Sequence, residues 1–365
     1  MNMIDKNSIC MCQLNQFLTE YKELNTRNLY RPVAVGRYGI RTRESIYSKE
    51  LAKDYSKNKV IYKGTLTVGM GSVQMDIGIL SEDERYSVSP AYHTYRISGI
   101  DNDYLRYCLQ CRNLDMFTRY MKRGSRQGKS IDLSRWITYE IPVYPVDIQS
   151  KIVERLNIVQ DIIEMRRTEL QKLDELIKAR FVEMFGDPVQ NKKEWQTKAL
   201  EDACKSIVDC PHSTPSYTSE DTGFMCIRTS IVKKNRIMWE DIEYIPEEEY
   251  IQRIQRKKPE KGDVVYTREG AILGIAAVID RDCNVALGQR SMLLSPDSAF
   301  CTPEFISVAM NFDSFLDNAL KGMSGSASPH INVGDIKAFK MILPPIAQQE
   351  AFSAFVVQVD KSKVA

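Results

Sequence analysis

The chain has 365 residues, which suits about two domains at the usual ~100–200 residues each, and 43% of them are hydrophobic, enough for real cores. No stretch reaches the roughly 18 uninterrupted apolar residues of a membrane span, and Met1–Cys12 has no apolar run behind a basic start, so no membrane and no secretory leader are expected and the cytoplasm is the expected compartment. Nine scattered cysteines in so long a chain exclude a disulfide framework; Cys10/Cys12 and Cys108/Cys111 lack the second pair or nearby histidines of a zinc site, so the thiols read as reduced and no metal is expected.

The net charge of +2 is unevenly spread: +7 over residues 1–145, −2 over 146–190 and −3 over 191–365. The first part suits a polyanion, whereas the last would have to use local basic clusters. In chain order, residues 1–145 show strand-like runs at Lys59–Val68 and Ser87–Ile97, then a helical patch at Asp103–Tyr120. A long helix follows Pro145, with Asp147 as its candidate N-cap. Its seam is Ile152, Leu156, Val159, Ile163, Arg166, Leu170, Leu173, Ile177, Arg180 and Met184, in steps of four and three. Gly186-Asp187-Pro188 stops it. At 1.5 Å per residue the helix would be about 58 Å long and would need a partner helix along most of its length. Residues 190–345 repeat the mixed pattern, with Gly262–Thr267 and Gly274–Ile279 strand-like and Pro303–Leu320 helical.

The chain repeats itself at an offset of about 200 residues. Ile131 falls on Ile331, Ile141 on Met341, Pro145 on Pro345, Gln149 on Gln349, Ile152 on Phe352 and Val159 on Val359. The unit is therefore an α+β globule followed by a helix, used twice. The second helix begins after Pro345 and is cut short at Ala365.

At these residues the sequence resembles the specificity subunits of Type I restriction-modification enzymes. The resemblance is carried by Lys261–Gly270, by Met225–Ile231 with Trp239 to Ile245, and by Gly325-Ser326-Ala327 followed by Ile342–Glu350. Phe185-Gly186-Asp187-Pro188 before Trp195 matches the family's exit from the central helix. It implies two similar α+β target-recognition domains, 1–145 and 188–345, separated by a coiled-coil spacer helix, 146–187, with 346–365 the truncated start of a second spacer. It further implies a non-catalytic subunit that reads a split target in double-stranded DNA, one half per domain. The two long helices would pair antiparallel, methyltransferase subunits would dock on them, and a restriction/translocase subunit would join. S-adenosylmethionine and ATP would sit on those partners, with no cofactor in this chain. A spacer left unpaired by the short second helix could take its missing helix from a partner chain or a second copy.

Readers of DNA need basic groups for phosphates and Arg, Lys, Asn, Gln or Ser for base edges. The candidates in the first domain are Arg37, Tyr38, Arg41, Arg43 and Lys63, then Lys122, Arg123, Arg126, Gln127 and Lys129 in a Gly/Ser-interrupted loop. In the second they are Arg228, Thr229, Ser230, Lys233, Lys234, Arg268, Arg290, Lys321, Ser326 and His330. No phosphate-binding loop, no nucleophile elbow and no Asn/Asp-Pro-Pro-aromatic motif stands out, in keeping with an expected recognition role. The competing readings are a coiled-coil adaptor and a silent, truncated member of the same family.

Overall fold

A strand that is buried at every position needs both faces of its sheet covered. In the computed structural model, which describes residues 9–36, 39–43, 54–124, 128–270, 272–321 and 330–364, Val264–Thr267 is such a strand and is buried throughout. It pairs antiparallel with Ser291–Pro296 and with Ala276–Val278, placing Val265 opposite Leu293 and Tyr266 opposite Met292. Cys204–Asp209 lies beyond Ser291–Pro296. Because successive side chains point to opposite faces, this sheet feeds two cores. Val264, Tyr266, Ala276, Met292 and Leu294 join Phe305 and Phe315 from the helices Pro303–Met310 and Asp313–Leu320. Val265, Ala277 and Leu293 join Ile227, Ile237 and Val285 on the other side.

The chain divides by its contacts into one unit up to Glu164 and another from Met165. The first unit is built the same way. Its sheet runs Leu18–Tyr21, His93–Ile97, Thr65–Met70, Met75–Ile79, all antiparallel. In both sheets the spatial order is first, fourth, second, third in chain sequence. The helices Asn102–Cys111 and Asn113–Tyr120 cover one face, where Leu66, Val68, Met75 and Tyr95 meet Leu105, Met116 and Trp136. A smaller core of Val33, Val35, Ile61, Leu80, Tyr86 and Val88 lies apart from it.

Two buried amides make the duplication physical. Asn113 Nδ2 donates to the Met75 carbonyl at 3.0 Å and its Oδ1 accepts from the Met75 N–H at 2.9 Å. Asn311 does the same to Ala276, at 2.8 and 2.9 Å. Each ties the end of a helix to a sheet strand that has no further strand beyond it in its sheet. Likewise Gln149 Oε1 accepts from the Asp101 N–H at 2.9 Å while its Nε2 donates to the Tyr144 carbonyl at 2.7 Å. Gln349 repeats this with the Thr302 N–H and the Pro344 carbonyl, at 3.2 and 2.8 Å. Asp101 and Thr302 are the N-caps of the two matching helices. A glutamine in the first turn of each long helix is thus stitched to the cap of the helix beside it.

The long helix is Val146–Phe185 and the second is Ile346–Val364. Within the second unit they run antiparallel. Phe181 lies 5.4 Å from Phe352 by ring centroids, and at the other end Arg166 donates to the Lys363 carbonyl while Lys363 Nζ sits 2.6 Å from Asp174. The short second helix therefore does find its partner, over the C-terminal half of the long one. The seam is corrected there. Ile177 is buried and Leu170, Leu173 and Met184 are half-buried, but the fully buried rings are Phe181 and Phe185, in a row 173, 177, 181, 185 that steps by four. Arg180, placed on the seam by the three-and-four spacing, pairs with Glu183 and also lies over the Phe355 ring of the second helix at 5.9 Å. Phe305, Phe312 and Phe352 surround Phe181 at 5.0–5.4 Å. At the other end Ile152 packs on the first unit's core. Between these, Leu156, Val159 and Ile163 stand 37%, 52% and 42% exposed, with Ile158 and Ile162 at 52% and 54%.

Candidate nucleic-acid interface

In the second unit the strand Val264–Thr267 delivers Arg268 to the rim of the sheet. There the guanidinium is 5% exposed, held by Asp209 through Nε at 3.0 Å and Nη2 at 3.3 Å, with Glu269 at 2.8 Å on Nη1. This differs from the expected open DNA contact. A buried, doubly paired arginine positions its neighbours instead of reaching outward. Its N–H donates to the Arg290 carbonyl, its carbonyl accepts from Ile331, and Glu269 bridges to His330. Asp209 also accepts from His212, whose ring is 66% exposed and 3.1 Å away. One buried ion pair thus gathers three stretches of chain, at 209–212, 290 and 330.

Arg228 lies beside this rim. Its Nη1 pairs with Glu243 at 3.0 Å and its guanidinium stands over the Tyr217 ring at 5.2 Å. The Gly288 N–H donates to the Ile227 carbonyl, which sets the Gly288–Arg290 turn against Arg228. A Cβ at Gly288 would meet the Tyr217 hydroxyl at 2.7 Å and the Ile227 carbonyl oxygen at 3.0 Å, so the close approach favours glycine. Arg290 is exposed, at φ +70°, with no ion pair among the described residues. Arg228, Arg290 and His330 are therefore brought together, and Asp209, His212 and Tyr217 join them unforeseen.

The other candidates of this unit lie elsewhere. Thr229 and Ser230 form a tight turn, and Lys233 donates to the Ser230 carbonyl at 2.8 Å. Lys234 pairs with Asp313 at 2.9 Å, and that contact, ahead of burial and of Lys178, holds the Asp313 carboxyl below its ordinary value. Lys321 is exposed at the end of Asp313–Leu320, and Ser326 lies outside the described residues.

In the first unit the basic loop is a hairpin, Met121–Gly124 against Gly128–Ile131, with Arg123 opposite Lys129 in register. Arg126, Gln127, Arg37 and Tyr38 lie outside the described residues. Lys122 is 2.7 Å from the buried Asp132, which caps Leu133–Trp136. The lysine, then Ser134 Oγ, bring the Asp132 carboxyl down to about 2, so Lys122 is committed to the base of the hairpin. Lys129 is exposed with no ion pair among the described residues. Lys63 pairs with the exposed Asp83 at 3.0 Å, a contact of little energetic weight. Arg43 stands over the Tyr55 ring at 5.3 Å, and Arg41 is exposed. A patch the sequence did not reveal joins Tyr21 and Tyr62, stacked at 5.4 Å, with Arg96 5.4 Å over Tyr21 and Arg85 5.9 Å over Tyr62.

The repeat can be set beside known proteins. A family model described as the Type I restriction modification DNA specificity domain matches residues 20–175 and again 192–365. The chain belongs to that family. Such specificity domains are the DNA-recognition part of Type I systems, not the catalytic part. The chain is 21% identical over 275 residues to the Type I restriction enzyme MjaVIII specificity subunit of Methanocaldococcus jannaschii, covering 72% of this chain and 64% of that protein. It thus spans a little under two thirds of the length of that curated relative. The S subunit of a Type I restriction-modification system from M. genitalium shares the fold, with a TM-score of 0.54 at 12% identity over all of this chain and 92% of that one. The α+β class and the two-domain specificity fold agree with the expectation from sequence. No helix among the described residues is long and apolar enough to cross a membrane.

Proposed function

We propose that this protein directs a Type I restriction-modification complex to a bipartite DNA target, one half-site per specificity domain, and does no chemistry itself. The observation that carries this reading is the duplication: two copies of a DNA specificity domain, with the same sheet order and the same buried amides, each running into a long helix. In the second domain the contacts with DNA come from Arg228, Arg290, His212 and His330. In the first they come from the Met121–Ile131 hairpin and the Tyr21/Tyr62/Arg96 patch. Phosphate contacts make the binding steeply salt-dependent. Methyltransferase subunits dock on the exposed apolar stripe Leu156–Ile163, and the restriction/translocase subunit joins that assembly. S-adenosylmethionine and ATP are held by those partners, and the complex works in the cytoplasm.

The test is co-expression with a Type I methyltransferase subunit from the same source, with methylated adenines mapped at base resolution. A split motif marked on both halves is the expected result. A soluble complex without new methylation would replace this reading with a silent subunit, and no complex at all would replace it with the adaptor.

A further inference from the structure

Residues two apart on a strand place their side chains on one face. Cys10 and Cys12 stand in this relation on the edge strand Cys10–Gln13, which pairs with Glu140–Val143. Their sulfurs are 3.2 Å apart, Cys10 is exposed and Cys12 is half-buried. The C-x-x-C pair is not a dithiol of this kind: Cys108 is buried in the core, and Cys111 Sγ donates to the Cys108 carbonyl. Nor do Cys10 and Cys12 sit in a metal-ligand cluster among the described residues. Structural zinc takes four ligands, and no group of three or more His, Cys, Asp or Glu that could hold a metal occurs among the described residues.

We propose that Cys10 and Cys12 are a reversible oxidation site that closes to an intrastrand disulfide on exchange with a small-molecule disulfide such as oxidised glutathione. The Cα spacing of such a pair is about 6.6 Å, at the upper edge of the range a disulfide spans, and the sulfurs need close only to about 2.05 Å. One thiolate attacks the small disulfide and releases one glutathione thiol. The second thiol then attacks the mixed disulfide, forming the Cys10–Cys12 bond and releasing the other glutathione thiol. Two protein thiols are oxidised by two electrons and one disulfide is reduced to two thiols. The Cys12 thiol donates to the Cys10 sulfur, and this contact, ahead of burial, raises its pKa. Cys10 is therefore the attacking sulfur and Cys12 the resolving one. So short a ring removes little chain entropy, and a strained, exposed bridge is easily reduced. The bond is a reversible mark on the strand, not a staple between elements.

The test treats the full chain with oxidised glutathione, alkylates the remaining thiols and sequences the tryptic peptide Asn7–Lys22 by mass spectrometry. The expected peptide lacks two hydrogens, carries no alkyl group and returns to the dithiol with dithiothreitol. Cys12→Ser should instead hold a stable glutathione adduct on Cys10. Free thiols, or glutathione adducts that persist on Cys10 or Cys12 of the unsubstituted chain, would overturn the proposal.

Discussion

Replacing Asn311 by alanine removes four hydrogen bonds at once. Its Nδ2 donates to the carbonyls of Ala276 and Ser307 and to Asn235 Oδ1, and its Oδ1 accepts from the Ala276 N–H. Asn235 N–H also donates to the Ala276 carbonyl, so that acceptor keeps a partner. The Ala276 N–H, on a fully buried residue, keeps none among the described residues. One orphaned donor costs about 1–3 kcal/mol and each of the other three lost neutral bonds about 1 kcal/mol net, which together give about 4–6 kcal/mol. For a unit of this size that lowers the Tm by about 8–24 °C. Asn113→Ala strips both backbone groups of Met75 and should cost about 2–6 kcal/mol by the same reasoning. Scanning calorimetry on the two variants should show Asn311→Ala lowering the transition of the second unit and Asn113→Ala that of the first. A loss under about 1 kcal/mol in either variant would refute the claim that these amides fasten helix to sheet.

Arg268→Ala strands Asp209 and Glu269 and should cost about 3–5 kcal/mol in urea unfolding, with DNA affinity falling as the rim loosens; a stable variant with normal affinity would show that the rim does not depend on it. Arg228→Ala should leave stability nearly unchanged and weaken specific duplex binding by about 1–3 kcal/mol, read by fluorescence anisotropy at fixed salt. Val159→Glu with Ile162→Glu, on the exposed stripe, should abolish association with the methyltransferase subunit in gel filtration while DNA binding persists. Acid unfolding should report Asp132: its pKa in the folded state is depressed from 3.8 to about 2, so its stabilising effect is complete above about pH 4 and is lost as the pH falls towards 2. Lys122→Met should shrink that acid-dependent loss, and an unchanged profile would remove the Lys122 contact as its cause.

The repeat, the long helix and the strand-rich globules were legible because they rest on local periodicity. The 200-residue offset pairs Gln149 with Gln349, the two glutamines that stitch each long helix to the cap of its neighbour. The seam was read less well. Heptad spacing passed over Phe181 and Phe185, because the last turns of the helix face the second helix and the globular core together, through Phe352 on one side and Phe305 and Phe312 on the other, and that wider face steps by four. Arg268 was singled out for its charge, but its partner Asp209 lies 59 residues away, a distance at which composition carries no signal. The stacking of Tyr21 on Tyr62 was hidden for the same reason: the two strands meet only through tertiary pairing.

The phenylalanine cluster also sets a timetable for synthesis. Ile152 at the start of the long helix packs on residues already made. Phe181 and Phe185 wait for Phe305 and Phe352, which follow Phe181 by about 120 and 170 residues, or about 6–35 s at ribosomal rates of about 5–20 residues per second. Throughout that interval the nascent chain displays two uncovered aromatic rings on a helix whose origin is already anchored. Chaperone capture and misassembly between neighbouring nascent chains should therefore concentrate there.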